Sequence, residues 1–320
     1  MAAPVITVIV PGFDVAAYVA DALGSLRAQT RQDWVAILVD DGSADATGAL
    51  FDEAAAADAR FRVVHHRERR GLAAARNTGI GLVETPLVGF LDTDDRLTPT
   101  ALERLVGTIE RSGSDIAVGA YVRLRPGADG AYRAGAVQPW VAAATDPERT
   151  AIALADHPAL SGNIVAWSKV SRIDLWRRLD LRFPEGRLYE DQVVAQRMYT
   201  RARAIDVIPD IVVEWRERAD GTSITQHQDA LPVLREYLDA LRGGIEVLDR
   251  AGHPAAVQSR IALVLTMDLP PLVRIGQSHP DAAYRRAVGV FARELWGRAD
   301  VAREELDEVS TTLLSAARLW

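Results

Sequence analysis

The sequence predicts an α/β protein on a Rossmann-like, mostly parallel central sheet, followed by a C-terminal helical region. Three observations predict it. β-branched runs alternate with helical patterns through the first 112 residues, as in successive βαβ units. The runs are apolar throughout, as in "VITVIV" (5–10), which suits strands covered on both faces. From about residue 228 onward, one amphipathic helical pattern follows another.

Each element has its own signal. Pro11-Gly12 ends the first strand, and Ala16, Val19, Leu23 and Leu26 then recur at helical spacing. "WVAILVD" (34–40) is the second strand and "DATGALFDEAAAA" the second helix. "FRVVHH" (61–66) is the third strand, and "GLAAARNTGIGLV" (71–83) opens on Gly and continues as a helix. "PLVGFL" (86–91) is the fourth strand, and "TPTALERLVGTIERSG" is a helix with Pro99 near its start. From about 113 the rhythm changes. "DIAVGAYVRLRP" and "AYRAGAVQPW" read as strands around a Gly/Asp turn, followed by a helix near 147–155 and a short one at 171–178. "RLYEDQVVAQRMYTRA" carries a further helix and "AIDVIPDIVVEWRER" the last strands.

Composition excludes some functions. With 48% hydrophobic and 25% charged residues, the balance is that of an ordinary globular protein. A net charge of −7 argues against a nucleic-acid binder relying on a basic surface. The absence of cysteine removes disulfides, thiolate metal sites and a Cys nucleophile. The N-terminus lacks the basic region of a signal peptide. The most apolar stretch, "IALVLTMDLPPLV", is short and interrupted by Asp268 and two prolines, so no transmembrane segment is expected. A cytoplasmic protein is the expectation, with peripheral approach to the inner face of the membrane left open. Lys169 is the single lysine among 37 basic residues, which reads as the coding bias of a GC-rich genome.

Acids gather where parallel strands end, which is where such folds place their sites. "GFLDTDDRLTP" (89–99) crowds Asp92, Asp94 and Asp95 at the end of an apolar run. Two carboxylates ~4 Å apart repel by roughly 4 kcal/mol at an effective dielectric near 20. A hard divalent cation shared with phosphates relieves that repulsion. The plain alternative is a solvated turn capping the next helix. "LVDDGSADAT" (38–47) places Asp40-Asp41 at a neighbouring strand end, with Ser43 or Asp45 as a helix cap. Arg76 and Asn77 follow the third strand, and an arginine beside such a site suits diphosphate. Glu190-Asp191 precede a helical run, again with capping as the plain reading. "EWRERADGTSITQ" carries Arg216, Arg218, Ser223 and Thr225, and His227 is a distant candidate for a third metal ligand.

Six segments in order resemble the inverting family 2 glycosyltransferases of the GT-A fold. They are "VIVPGFDVAAYVADALGSLRAQT", "LVDDGSADAT", "GLAAARNTGI", "VGFLDTDDRLTP", "RFPEGRLYEDQ" and "VEWRERADGTSIT", covering roughly residues 4–226. Phe13-Asp14 stands where the family usually has Tyr-Asn. The resemblance implies a GT-A domain over 1–227, with a nucleotide-sugar half about 1–112 and an acceptor half about 113–227, before a helical region at 228–320. It also implies a donor site. Pro11, Phe13, Asp14 and Asp41 would hold the base, and Arg76, Asn77, Asp92 and Thr93 the ribose and diphosphate. Asp94, with Asp92, would hold Mg²⁺ or Mn²⁺, and Asp95 would support it or touch the sugar. Asp191 resembles the catalytic base, with Glu190 orienting it, and Arg216, Arg218 and Ser223 lie in the loop that closes over the diphosphate. The partners implied are a nucleotide-sugar and a glycan, polyol-phosphate or other hydroxyl acceptor, with a homo-oligomer through the tail as a further possibility. "WRERADGTSITQ" ahead of helices is similar to cell-wall polyol-phosphate (teichoic-type) enzymes. Two other readings remain: a silent binding protein on the same fold, against which Asp94 and Asp191 count, and a nucleotidyltransferase, which needs a basic triphosphate loop that "VPGFDVAAY" lacks.

Overall fold

The protein is described here by a computed structural model covering residues 3–127, 129–219, 227–299 and 308–320. The first half builds β1 (Ile6–Gly12), α1 (Ala16–Arg27), β2 (Trp34–Asp40), α2 (Thr47–Ala57), β3 (Phe61–His65), α3 (Leu72–Gly81) and β4 (Leu87–Phe90). A two-residue strand β5 (Arg96–Leu97) and helix α4 (Ala101–Ser112) follow. Next come β6 (Ile116–Pro126), β7 (Tyr132–Val137), α5 (Pro139–Thr145), β8 (Arg149–Ile152), β9 (Lys169–Arg172), α6 (Ile173–Arg178), α7 (Asp191–Arg201) and β10 (Ile205–Arg216). The tail is α8 (Leu231–Arg250), α9 (Pro254–Leu263), α10 (Leu269–Ser278), α11 (Ala282–Arg298) and α12 (Glu308–Ala317).

The strands form one sheet in the order β3-β2-β1-β4-β9-β6-β10-β5, with β7 on β6 and β8 on β10. The β3-β2, β2-β1, β1-β4 and β6-β10 pairs are parallel, and β9 runs antiparallel between β4 and β6. Every residue of β1 and β4 is buried, as the continuous apolar runs predict for two-sided strands. Helix α3 packs directly on β1 because Gly79 has no side chain: a methyl there would fall 2.5 Å from Ile9 Cγ2. This contact sets the depth of Arg76, one turn earlier on the same helix.

Three sequence expectations change. Residues 147–155 form β8 and a 3-10 turn instead of a helix, because β10 offers an unpaired edge that β8 takes. The helix in this region begins earlier, at Pro139, inside the run expected to be a strand. The prolines at 270 and 271 do not break the tail. Val264–Asp268 is a π turn and the prolines occupy the first turn of α10, where a missing N–H is tolerated. Pro254–Ser278 therefore forms one helix long and apolar enough to cross a membrane, yet 56% of its most apolar window is buried inside the protein. One apolar core runs from the sheet through α7 into the tail, joining Val194 and Ala195 to Leu234, Leu241 and Ile245.

Candidate active site

Strands β1, β2 and β4 are neighbours and parallel, so the turns after them meet at one edge of the sheet. Thr93 ties two of these ends together, its buried Oγ1 donating to the Pro11 carbonyl (2.6 Å). Asp14, at φ 48°, accepts at Oδ1 from the N–H groups of Ala44 (2.8 Å) and Asp45 (3.3 Å). Ser43 Oγ accepts from Asp14 N–H (3.1 Å), and Asp45 takes the N–H groups of Thr47 and Ala16. Asp45 thus meets the first N–H of α2 as the plain capping reading expects, whereas Ser43 bonds across to Asp14 and caps no helix. Half-exposed Phe13 has the Arg69 guanidinium 4.2 Å from its ring centre. Asp41 is buried, accepting at Oδ1 from Arg70 N–H (2.9 Å) and at Oδ2 from Gly71 N–H (2.7 Å), with His66 Nδ1 2.7 Å from Oδ1. Gly71 permits this at φ 95°.

The acid turn after β4 is held from below by β10. Arg216, 3% exposed, donates its N–H to Asp95 Oδ1 (2.8 Å) and its Nε–H to the Asp94 carbonyl (2.7 Å). Its Nη2 reaches Asp21 (2.8 Å), and Tyr132 lies 4.4 Å from the guanidinium. Arg216 thus supports the turn from inside, while Arg218 pairs with Asp94 Oδ2 through Nε (2.8 Å). Burial, with Asp94 and Asp92 beside it, pushes the Asp95 carboxyl well above the usual carboxylate range. Burial also raises Asp94; Arg218 opposes the shift and Asp92 adds to it.

Arg76 joins this turn to α7. It is buried to 1% and donates from Nη2 to both oxygens of Asp92 (2.8 and 3.0 Å). Its Nη1 donates to Glu190 Oε1 (2.8 Å) and Asp191 Oδ1 (2.5 Å). Burial opposes its charge, but Asp191, Asp92 and Glu190 together hold its pKa above the ordinary value. The second Asp191 oxygen accepts from Ala166 N–H (3.0 Å). Glu190 stands at the N-cap of α7, but no side chain there bonds the helix N–H groups, so neither acid acts as a side-chain cap. Burial lifts the Glu190 carboxyl to about 7 against the pull of Arg76, and raises Asp191 in the same sense. Tyr189, at φ 58°, makes the turn that aims both acids inward. Asp92, Asp94 and Asp191 keep 21%, 19% and 15% of their side chains exposed, so they form the rim of the site.

Asn77 has a different setting from the one its motif implies. Its Nδ2 donates to the Phe183 carbonyl (2.9 Å) and Glu185 Oε1 (3.1 Å), and its Oδ1 accepts from Phe183 N–H (2.9 Å). It staples the 183–185 loop to α3. His227 is exposed, its carbonyl accepting from Ala230 N–H (3.2 Å). Ser223 and Thr225 lie outside the described residues.

Sequence reasoning missed Lys169. It is 5% exposed, and its Nζ donates to Asn163 Oδ1 (2.8 Å) and to the Val165 carbonyl. Tyr199 Oη donates to the Asn163 carbonyl (2.7 Å), so the strap 163–166 that presents Ala166 N–H to Asp191 is held from beneath. Both acceptors of Lys169 are neutral oxygens. Burial pulls its pKa down to about 7, with Asp191 opposing. Arginine cannot take a neutral form there. In a chain that otherwise uses arginine throughout, the lone lysine was itself the signal.

Among the described residues, no cluster of three or more His, Cys, Asp or Glu side chains is arranged to hold a metal ion. The donor chemistry nevertheless fits a hard divalent cation: Asp92 and Asp94 bring carboxylate oxygens to the rim, and burial, with the neighbouring acids adding to it, raises Asp94 and Asp95.

The match to known proteins decides the class. Residues 7–140 match the family described as Glycosyl transferase family 2. That segment is a family 2 glycosyltransferase domain. Across 73% of this chain the sequence is 28% identical to the uncharacterized glycosyltransferase EpsJ of Bacillus subtilis, covering 67% of that protein. It is 34% identical over 34% of its length to the putative teichuronic acid biosynthesis glycosyltransferase TuaG of the same species, covering 44% of it. The crystal structure of S. aureus TarS 1-349 in complex with UDP-GlcNAc superposes with a TM-score of 0.69 at 19% identity. That alignment covers 98% of this chain and 92% of the TarS 1-349 chain, so this chain shares its GT-A fold, tail included.

Proposed function

We propose that this chain is an inverting, metal-dependent glycosyltransferase that moves a sugar from a UDP-sugar to an acceptor hydroxyl in cell-wall or polysaccharide synthesis. It would work in the cytoplasm, at the inner face of the membrane. The observation that carries the reading is the line Asp92–Arg76–Asp191, which links the strand-end acids to a carboxylate with no capping role. The names of its relatives and the nucleotide-sugar in TarS support the choice of donor.

Phe13 and Asp41 flank the base, Asp41 accepting from its ring N–H at Oδ2. Asp94 and Asp92 would hold Mg²⁺ or Mn²⁺, which when bound neutralises charge on the diphosphate. Arg76 takes part through Asp92 and the base, since its N–H groups go to Asp92, Glu190 and Asp191. Arg218, on the rim, is placed to follow the charge that develops on the leaving diphosphate. Asp191, fixed by Arg76 and Ala166 N–H, takes the acceptor hydroxyl's proton as that oxygen attacks the anomeric carbon from the opposite face. One displacement inverts the configuration.

The test is incubation with a panel of UDP-sugars and Mn²⁺, following release of UDP and the anomer of the product by NMR. The expected result is UDP release that stops in EDTA and an inverted product. Asp94→Asn should lower metal-dependent UDP affinity and nearly abolish transfer. Full turnover of that variant, or of wild type in EDTA, would remove the metal assignment.

A further inference from the structure

A cleft of about 510 Å³ lies between the acid site and the tail, within the ~300–1,000 Å³ range of small-molecule sites. It begins at the base. Tyr189 and Gln192, on either side of Glu190–Asp191, line it, as does Val165, next to the residue whose N–H holds Asp191. Its wall is aromatic: Tyr121, Trp140, Trp167, Trp215, Tyr189 and Tyr237. Tyr121 meets Trp167 edge-on at 4.8 Å, Trp167 lies 6.4 Å from Trp215, and Tyr189 packs on Tyr237 at 4.4 Å. Trp140, Trp215 and Tyr189 remain half-buried.

We propose that this cleft is the acceptor site and that it takes a neutral pyranose at the end of a glycan, anchored through a hydroxyl at Asp268. The assignment rests on the glycosyltransferase reading above. Asp268 ends the π turn, which aims it at the cleft, and only 9% of its side chain is exposed. Tyr237 Oη donates to its Oδ1 (2.7 Å). Arg260 Nη1 lies 3.3 Å from Oδ2, which is fully buried, so the carboxylate is fixed from behind while its side chain lines the cleft. A carboxylate oxygen has two lone pairs, so Oδ1 can accept a ligand O–H beside the bond from Tyr237.

Charge selects the ligand class. Each arginine at the cleft already faces a carboxylate: Arg123 with Glu217 (2.7 Å), Arg260 with Asp268, and Arg216 with Asp21. Phosphate recognition would need guanidinium groups directed at the ligand, and the Asp268 oxygen would repel a phosphate. Aromatic faces suit the flat C–H face of a pyranose. The tail therefore takes part in substrate choice.

The test uses the full chain saturated with UDP and Mn²⁺, with calorimetry against methyl hexopyranosides and against a synthetic glycerol-phosphate oligomer. At least one glycoside should bind with an affinity unchanged between low and high salt, and the oligomer should not bind. Asp268→Asn and Trp140→Ala should each weaken the glycoside tenfold or more, with melting temperature and UDP affinity checking the fold of each variant. Binding of the oligomer alone, no glycoside binding, or glycoside affinity unmoved in both variants would overturn the assignment. Failure of the wild-type chain to bind UDP would be a separate result, overturning the glycosyltransferase reading and the acceptor site with it.

Discussion

At the scale of single residues, the site is a balance of buried charge. Arg76 is one cation among three carboxylates, and two of these, Glu190 and Asp191, are raised despite it. Lys169 sits beneath Asp191 with no carboxylate among its hydrogen-bond acceptors. Its folded pKa of about 7 lies below the ordinary 10.5, so the unfolded chain binds more protons between those values. Its contribution to stability therefore rises with pH across that window, while below about 7 the full cost of the buried charge is present. Lys169→Met should remove that slope. Urea unfolding of both proteins from pH 7 to 10 checks it: the stability of wild type relative to the variant should grow as pH rises. Parallel curves would place the ionisation elsewhere.

At the scale of elements, the parallel half was legible because its signals are local. β1, β2 and β4 are apolar runs that end at acids, and the acids do meet at one sheet edge. What the sequence hid depends on distant partners. β5 is two residues paired with β10, and β8 exists because β10 offers it an edge. The π turn ahead of Pro270 leaves no pattern in composition. Site residues divided the same way. The DTDD and Glu-Asp acids stand out in the sequence and do gather around Arg76 and Arg218, whereas the tasks of Asn77 and Arg216 as internal supports depend on loops folding back across 106 and 121 residues. The approach of α3 to β1 at Gly79 is a prediction at this scale. Gly79→Ala should cost about 1–3 kcal/mol by overpacking against Ile9. Because the same helix carries Arg76, transfer should fall by more than the loss of folded protein explains. Comparing unfolding free energy with turnover per folded molecule checks this.

At the scale of the whole molecule, the tail is part of the core. Leu234, Leu241, Ile245 and Leu248 of α8 are completely or almost completely buried, and α8 lies so close to α7 that a methyl at Gly243 would fall 2.9 Å from Val193 Cγ2. Removing residues from 229 onward would bare the outer face of the helix that begins with Asp191. Such a truncation should lose cooperative melting and near-UV circular dichroism, and a sharp transition at the wild-type temperature would show the tail to be dispensable. In the intact chain, the strand ends of β1 and β4 and the aromatic cleft toward the tail converge on Asp191. The central claim is that Asp191 is the base at that junction. Its most direct test is Asp191→Asn, with donor binding by calorimetry beside a transfer assay. Asn keeps the shape and the bond from Ala166 N–H but cannot take up a proton. UDP-sugar should bind with near-native affinity while transfer falls about 10²–10⁴-fold; full turnover with unchanged binding would contradict the assignment.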